Sequence, residues 1–131
     1  MFRIVGRLAA GSEPYKYLPG TDAETFTRGE ALVMSGGALT KCGATVTPQY
    51  ICNEDVAAAT PAKQNISVSV IRETDEIEVI ATEAIAQSVV GSVVTLHTDG
   101  LKVTATTTSG VFRVKNTDGL TPSTVVGVFE Q

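Results

Sequence analysis

From Asn65 to Arg72 the chain alternates: Ile66, Val68 and Val70 fall on one side of an extended backbone, and Ser67, Ser69 and Ile71 on the other. A period of two belongs to a strand with a buried face, and Ile71 on the second side marks an end covered from both directions. The residue types behind this pattern fill the whole chain. Val, Ile and Thr make up about a third of it, and their branched Cβ suits a pleated surface better than a helix. Twelve glycines spread along the length cut the chain into short runs. The expected class is all-β: a small β-barrel or β-sandwich of short antiparallel strands with an N-terminal extension.

Turn chemistry sets the expected elements. Thr25 to Met34 reads as extended, Ser35-Gly36-Gly37 as a tight turn, and Ala38 to Cys42 as the returning strand. Tyr50 to Asn53 is another short strand, and Pro61 limits Glu54–Ala59 to one helical turn. Asn65–Arg72 and Ile77–Thr82, joined by the charged stretch Arg72–Glu76, form the best hairpin candidate. Thr82–Ser88 is a loop or a single helical turn. Val93–His97 and Leu101–Thr107 flank an Asp99-Gly100 turn, and Gly110–Val114 and Thr124–Phe129 follow around Asp118-Gly119 and Pro122. Gly29–Thr40 and Gly91–Lys102 echo each other as glycine-led hairpins, which is short of the three units a solenoid needs.

At 131 residues and 13.7 kDa the chain has room for one domain, or one domain and an arm. Residues 1–24 differ from the β-rich body at 25–131, with prolines and glycines between Gly11 and Gly20 that break any continuous element. Phe2–Leu8 is therefore either a strand closing the domain's own sheet or an arm lying on a neighbouring molecule. On the arm reading, Phe2 and Ile4 are apolar anchors, and Arg3 and Arg7 meet carboxylates of a partner. The net charge of −4 and pI near 4.9 argue against nucleic acid as a partner. No run is long enough for a membrane helix, and Met1–Arg7 lacks the apolar core of a secretory signal.

Residues that carry chemistry are few. His97 is the single imidazole, and Asp99 two positions on shares its face, but nothing nearby completes a nucleophilic triad. Cys42 and Cys52 on neighbouring strands are open to three readings: buried small apolar groups, a cross-strand disulfide, or a metal or redox pair. Glu73, Asp75, Glu76 and Glu78 crowd one turn, which reads as a solvated acidic tip or a contact to a basic partner. The expectation is no enzyme, no cofactor and no metal site.

Several segments carry a resemblance. They are Phe26-Thr27-Arg28-Gly29-Glu30-Ala31-Leu32, Thr47-Pro48-Gln49-Tyr50-Ile51, the acidic pair and alanines of Glu54-Asp55-Val56-Ala57-Ala58-Ala59, and Val125-Val126-Gly127-Val128-Phe129. Together they resemble the capsid decoration, or cement, proteins of tailed bacteriophages over residues 25–129. The resemblance implies a structural virion protein made in the host cytoplasm. It would bind the capsid exterior, commonly as a homo-trimer, and tie neighbouring major capsid subunits against internal pressure. Reduced thiols follow from that compartment. Another head or head–tail component, or a carbohydrate-binding or adhesin-like module, is the alternative. With only Tyr15, Tyr17 and Tyr50 and no tryptophan, the chain is poor in the aromatic faces a sugar platform needs.

Overall fold

The computed structural model describes residues 1–7, 15–72 and 74–130. Two open, antiparallel five-stranded sheets make a sandwich, so of the two expected architectures the barrel falls away. Sheet A holds β1 (Arg3–Arg7), β7 (Asp75–Ile80), β8 (Val93–Val94), β9 (Phe112–Thr117) and β10 (Thr124–Phe129) in the order β1-β7-β10-β9-β8. Sheet B holds β2 (Tyr15–Leu18), β3 (Ala31–Ser35), β4 (Ala38–Lys41), β5 (Tyr50–Cys52) and β6 (Ile66–Val70) in the order β2-β6-β5-β3-β4. Among the described residues one 3₁₀ turn forms, at Gln87–Val89, overlapping the end of the Thr82–Ser88 segment read as a loop or one helical turn.

Alternation places the core. On sheet A, Ile77 and Val79, Phe112 and Val114, and Val125 and Phe129 point inward and are buried. Ala31, Ile51 and Ile71 meet them from sheet B in one cluster. The other face of sheet B carries Leu32, Leu39, Cys52, Ile66 and Val68, which pack with Phe26 in a second cluster. Loops cover this second face, through Phe26 and Val56, whose backbones exchange hydrogen bonds of 2.9 and 2.8 Å. Sheet B is thus apolar on both sides, as an Ile71 out of phase with Ile66 and Val68 leads one to expect.

The strand phase of Ile66, Val68, Ile77 and Val79 holds, but the hairpin drawn from it does not. β6 pairs with β2 and β5, whereas β7 pairs with β1 and β10. The stretch between them is a corner that carries the chain from one sheet to the other. Asp75 makes that corner: its carboxylate accepts the Arg72 N–H at 3.0 Å, while its own N–H donates to the Arg72 carbonyl at 3.0 Å. Asp75 is fully buried, so the acidic cluster is not a solvated tip. Glu73 of that cluster lies outside the described residues, and Glu78 is paired with Arg3 at 2.5 Å.

Two other expectations shift. Thr25–Glu30 is not a strand; only Phe26 bridges, to Val56, and regular pairing begins at Ala31. Leu101–Thr107 joins no ladder, although Val103 bridges both Ala81 and Leu96, and the Thr95–Thr106 arm is zipped by backbone bonds of 2.9–3.0 Å. The Gly36-Gly37 turn forms as read, with φ of 60° and 85° at the two glycines between Ser35 and Ala38.

β1 closes sheet A opposite β7, with Arg3 against Glu78 and Ile4 against Ile77. Phe2 is 1% exposed and sits with Phe112 and Phe129, ring centroids 6.4 and 5.6 Å away, while those two rings stand 5.1 Å apart. Edge-to-face and tilted contacts of this kind add to the burial term.

Phe112→Ala should cost about 3–5 kcal/mol and Ile77→Ala about 2–4, whereas Val5→Ala on the exposed edge should stay within about 0.5. Chemical denaturation of the three variants measures the difference. Gly127→Ala is the sharper case, because its Cβ would overlap the Arg113 carbonyl and press on the Phe112 ring. A loss of about 1–3 kcal/mol is expected there from overpacking.

Candidate interaction surface

The residues first assigned to a partner are engaged within the chain. Phe2 is a core residue, Ile4 is half-buried against the same cluster, and the exposed Arg3 side chain binds Glu78. The backbone of Arg7 pairs with Asp75, and its side chain lies outside the described residues. The closing-strand reading therefore describes β1. The free-arm reading is corrected, since lifting Phe2 away would open the ring cluster to water. The glycines and prolines that were to release the arm lie partly at 8–14, outside the described residues.

The outward face of sheet A is built by the alternate positions of the same strands. Glu76 and Glu78 stand on β7, Val126 and Val128 on β10, and Arg113 and Lys115 on β9. Val126 lies level with Glu78, and Val128 level with Arg113. Ile80 is 36% exposed on this side, and Val5, the extra residue of a bulge in β1, is 47% exposed at its edge. Arg113 binds Glu130 and the Gly91 carbonyl. Among the described residues Glu76 and Lys115 make no ion pair. Sequence reading took Thr124–Phe129 as a strand without assigning its faces; in the structure Val125, Gly127 and Phe129 are inward.

On the opposite side of the sandwich, loops over sheet B are pinned by the acidic pair that precedes the alanines. Glu54 accepts from Lys63 at 2.6 Å and from the Ser67 N–H at 2.8 Å, and the Lys63 bond holds its pKa below the ordinary value. Asp55 accepts the Arg28 N–H at 2.8 Å, and Asp22 accepts that of Ala62 at 2.8 Å. Between these staples Ala57, Ala58, Ala59, Thr60 and Pro61 are all exposed.

The polar residues singled out in the sequence take structural places. His97 Nδ1 accepts the Asp99 N–H at 3.3 Å, and Asp99 in turn accepts from Leu101 N at 2.8 Å, capping the turn. Burial works against the Asp99 carboxylate, but the Leu101 bond, His97 and Lys102 outweigh it and hold its pKa below the ordinary value. Cys42 and Cys52 are free thiols in different core clusters. The disulfide reading is thereby corrected, because the two side chains point to opposite faces of sheet B. Burial pushes the Cys42 pKa up to about 12 and raises that of Cys52. Among the described residues no group of three or more His, Cys, Asp or Glu is placed to hold a metal ion.

Glu30 is a buried acid that sequence reading placed on an extended strand. It is 2% exposed; Oε1 accepts the Thr27 N–H at 2.9 Å and Oε2 has no hydrogen-bond partner. Burial raises its pKa, against the Thr27 bond and the Lys41 charge. Its signal was the Thr-x-x-Glu spacing Thr27–Glu30, a side chain reaching back to a backbone N–H.

No family model, curated protein or solved structure matches this chain.

A carboxyl whose pKa rises on folding leaves the native state holding more protons than the unfolded chain, so stability falls as pH rises through the window above the unfolded value of 4.5. Glu30→Gln keeps the acceptor for Thr27 and removes the charge. It should be more stable than wild type at neutral pH, with the difference closing below pH 4.5, as urea titrations at several pH values would read. Both thiols should resist a disulfide reagent in the native protein, react fully after unfolding, and leave stability unchanged when reductant is added.

Proposed function

We propose that the protein is a structural component of a tailed-phage particle that attaches to the outside of the capsid and ties neighbouring major capsid subunits together. The observation that carries this reading is the placement of exposed or half-buried apolar groups on both outer layers of a two-sheet body. Val126, Val128 and Ile80 lie on one layer and the alanines of 57–61 on the other. A module whose task is adhesion needs two such surfaces, one for the shell and one for a neighbour. The resemblance of residues 25–129 to decoration proteins supports the same reading. So does the acidic pair, which in this structure serves to hold the Ala-rich loop in place for contact.

In this reading the loop 57–61 meets the shell. Its backbone is pinned before binding, so little ordering entropy is lost on contact. Small side chains let a partner surface approach closely, and the low charge of the loop avoids a desolvation cost. No chemical step is assigned to any residue. The resemblance implies a trimeric grouping of the protein on the shell.

Co-sedimentation with expanded, undecorated shells tests the function. Wild-type protein should pellet with shells, and Ala58→Glu should weaken binding by at least about tenfold, the equivalent of burying one unpaired charge at an interface, with its unfolding midpoint unchanged. Electron microscopy of the parent particle should place the chain on the shell exterior. Density at the portal or tail, or failure to pellet, overturns the proposal.

A further inference from the structure

The outer face of sheet A has a symmetry of its own. β10 is flanked by β7 on one side and β9 on the other. Its outward valines form an apolar stripe, with acids on β7 and bases on β9. We propose that this face is self-complementary and that a second copy of the chain packs on it, related by a two-fold axis running along β10.

The charge pattern selects that axis. Rotation about a line parallel to β10, in the plane between two facing sheets, exchanges the two flanks and keeps the level along the strands. The acidic strand of one copy then lies over the basic strand of the other, and Val126 and Val128 meet their equivalents. The other in-plane two-fold, across the strands, would set β7 on β7 and place Glu76 and Glu78 against themselves. Like charges so placed are destabilising.

Two of the four charges make the pattern specific. Glu78 already pairs with Arg3, and Arg113 with Glu130, but among the described residues Glu76 and Lys115 make no ion pair. They stand at opposite flanks: Glu76 is level with Val128, and Lys115 is the extra residue of a bulge in β9 between the levels of Gly127 and Val126. The two are therefore between one and two residues apart, roughly 3.3–6.8 Å along the strands. A lysine stem of that reach brings Lys115 of one copy to the Glu76–Glu78 row of its neighbour, and the axis repeats the contact. Leaving the two unpaired charges to a second copy satisfies both without breaking either intrachain pair.

The area sets the strength. β7, β9 and β10 are six residues long, β1 five and β8 two. With strands about 4.8 Å apart the face covers on the order of 400 Å² per copy, or about 800 Å² in the pair. That is the range of weak, transient contacts, so the dimer should be reversible, with a dissociation constant of tens of micromolar or weaker, and weakened by salt. The pairing uses the face that the proposed function gives to a neighbour, and to that extent rests on the same observation, but it is read on the free protein. Shell binding is assigned to the loop 57–61, so a failure of one is told apart from a failure of the other.

Sedimentation equilibrium of the full chain across the micromolar range tests the proposal. Wild type should move from 13.7 kDa at low concentration toward twice that mass, and added salt should shift the midpoint upward. Glu76→Lys alone and Lys115→Glu alone should each raise the dissociation constant at least about tenfold. An equimolar mixture of the two should recover dimer, because the reversed charges again face opposite signs. Val126→Asp should remove dimer while the thermal midpoint, which reports folding, stays near wild type. A wild-type protein that remains monomeric throughout overturns the proposal. So does a mass of three chains, or a mixture that fails to recover dimer when both variants are folded.

Discussion

The sandwich depends on three rings. Phe2 directly precedes β1, while Phe112 opens β9 and Phe129 closes β10, and the three rings fill the space where the inner face of sheet A meets sheet B. A Phe ring buries about 150–250 Å², so this cluster does more than any other to make one sheet out of early and late segments. Once Phe129 is in, Gly127 must lie against the Arg113 carbonyl, and the register of β9 and β10 is set with it. Once Phe2 is in, β1 has no choice but to lie beside β7. The N-terminal segment is thus a structural strand by consequence of one side chain.

Sheet B needs a second solution, because it is buried on both faces without a third sheet to cover it. Loops do that work, and loops need fixing. Glu54, Asp55 and Asp22 each accept a hydrogen bond from backbone or lysine on another segment, which converts an irregular layer into a lid over Leu32, Leu39, Ile66 and Val68. The acidic composition of the chain is therefore partly structural. Its carboxylates are used one at a time as staples, each accepting a backbone N–H of another segment that no strand ladder pairs.

How much of this was legible follows from what a period of two can say. It gave the all-β class, the buried phase of Ile66 and Val68 on β6 (with Val70 only half-buried) and of Ile77 and Val79 on β7, and the Gly36-Gly37 turn, because these are local facts. It did not reveal which sheet a strand joins. Ile66–Val70 and Asp75–Ile80 look like one hairpin, yet the Asp75 corner sends them to different layers, and only the burial of that carboxylate distinguishes the two outcomes. The cysteines illustrate the same limit: ten residues of spacing permits a disulfide, while strand phase directs Cys42 and Cys52 to different clusters. The outer face of sheet A was hidden for a simpler reason. Val125, Val126 and Val128 are the same residue type, and Thr124–Phe129 was read only as a strand, with no face assigned to each.

The edges of the two sheets carry a further consequence. β8 is two residues long, β1 is bulged between Ile4 and Gly6 beside the charged Arg3, and the outer strands of sheet B carry exposed Lys16 and Lys41. Short, bulged or charged edges resist the addition of another strand. Growth by edge pairing has no natural end, since each added strand offers a fresh edge, whereas a contact between faces is used up once made. A chain armoured in this way can be crowded at very high local density, as many copies on one surface would be, without zipping into a continuous fibre.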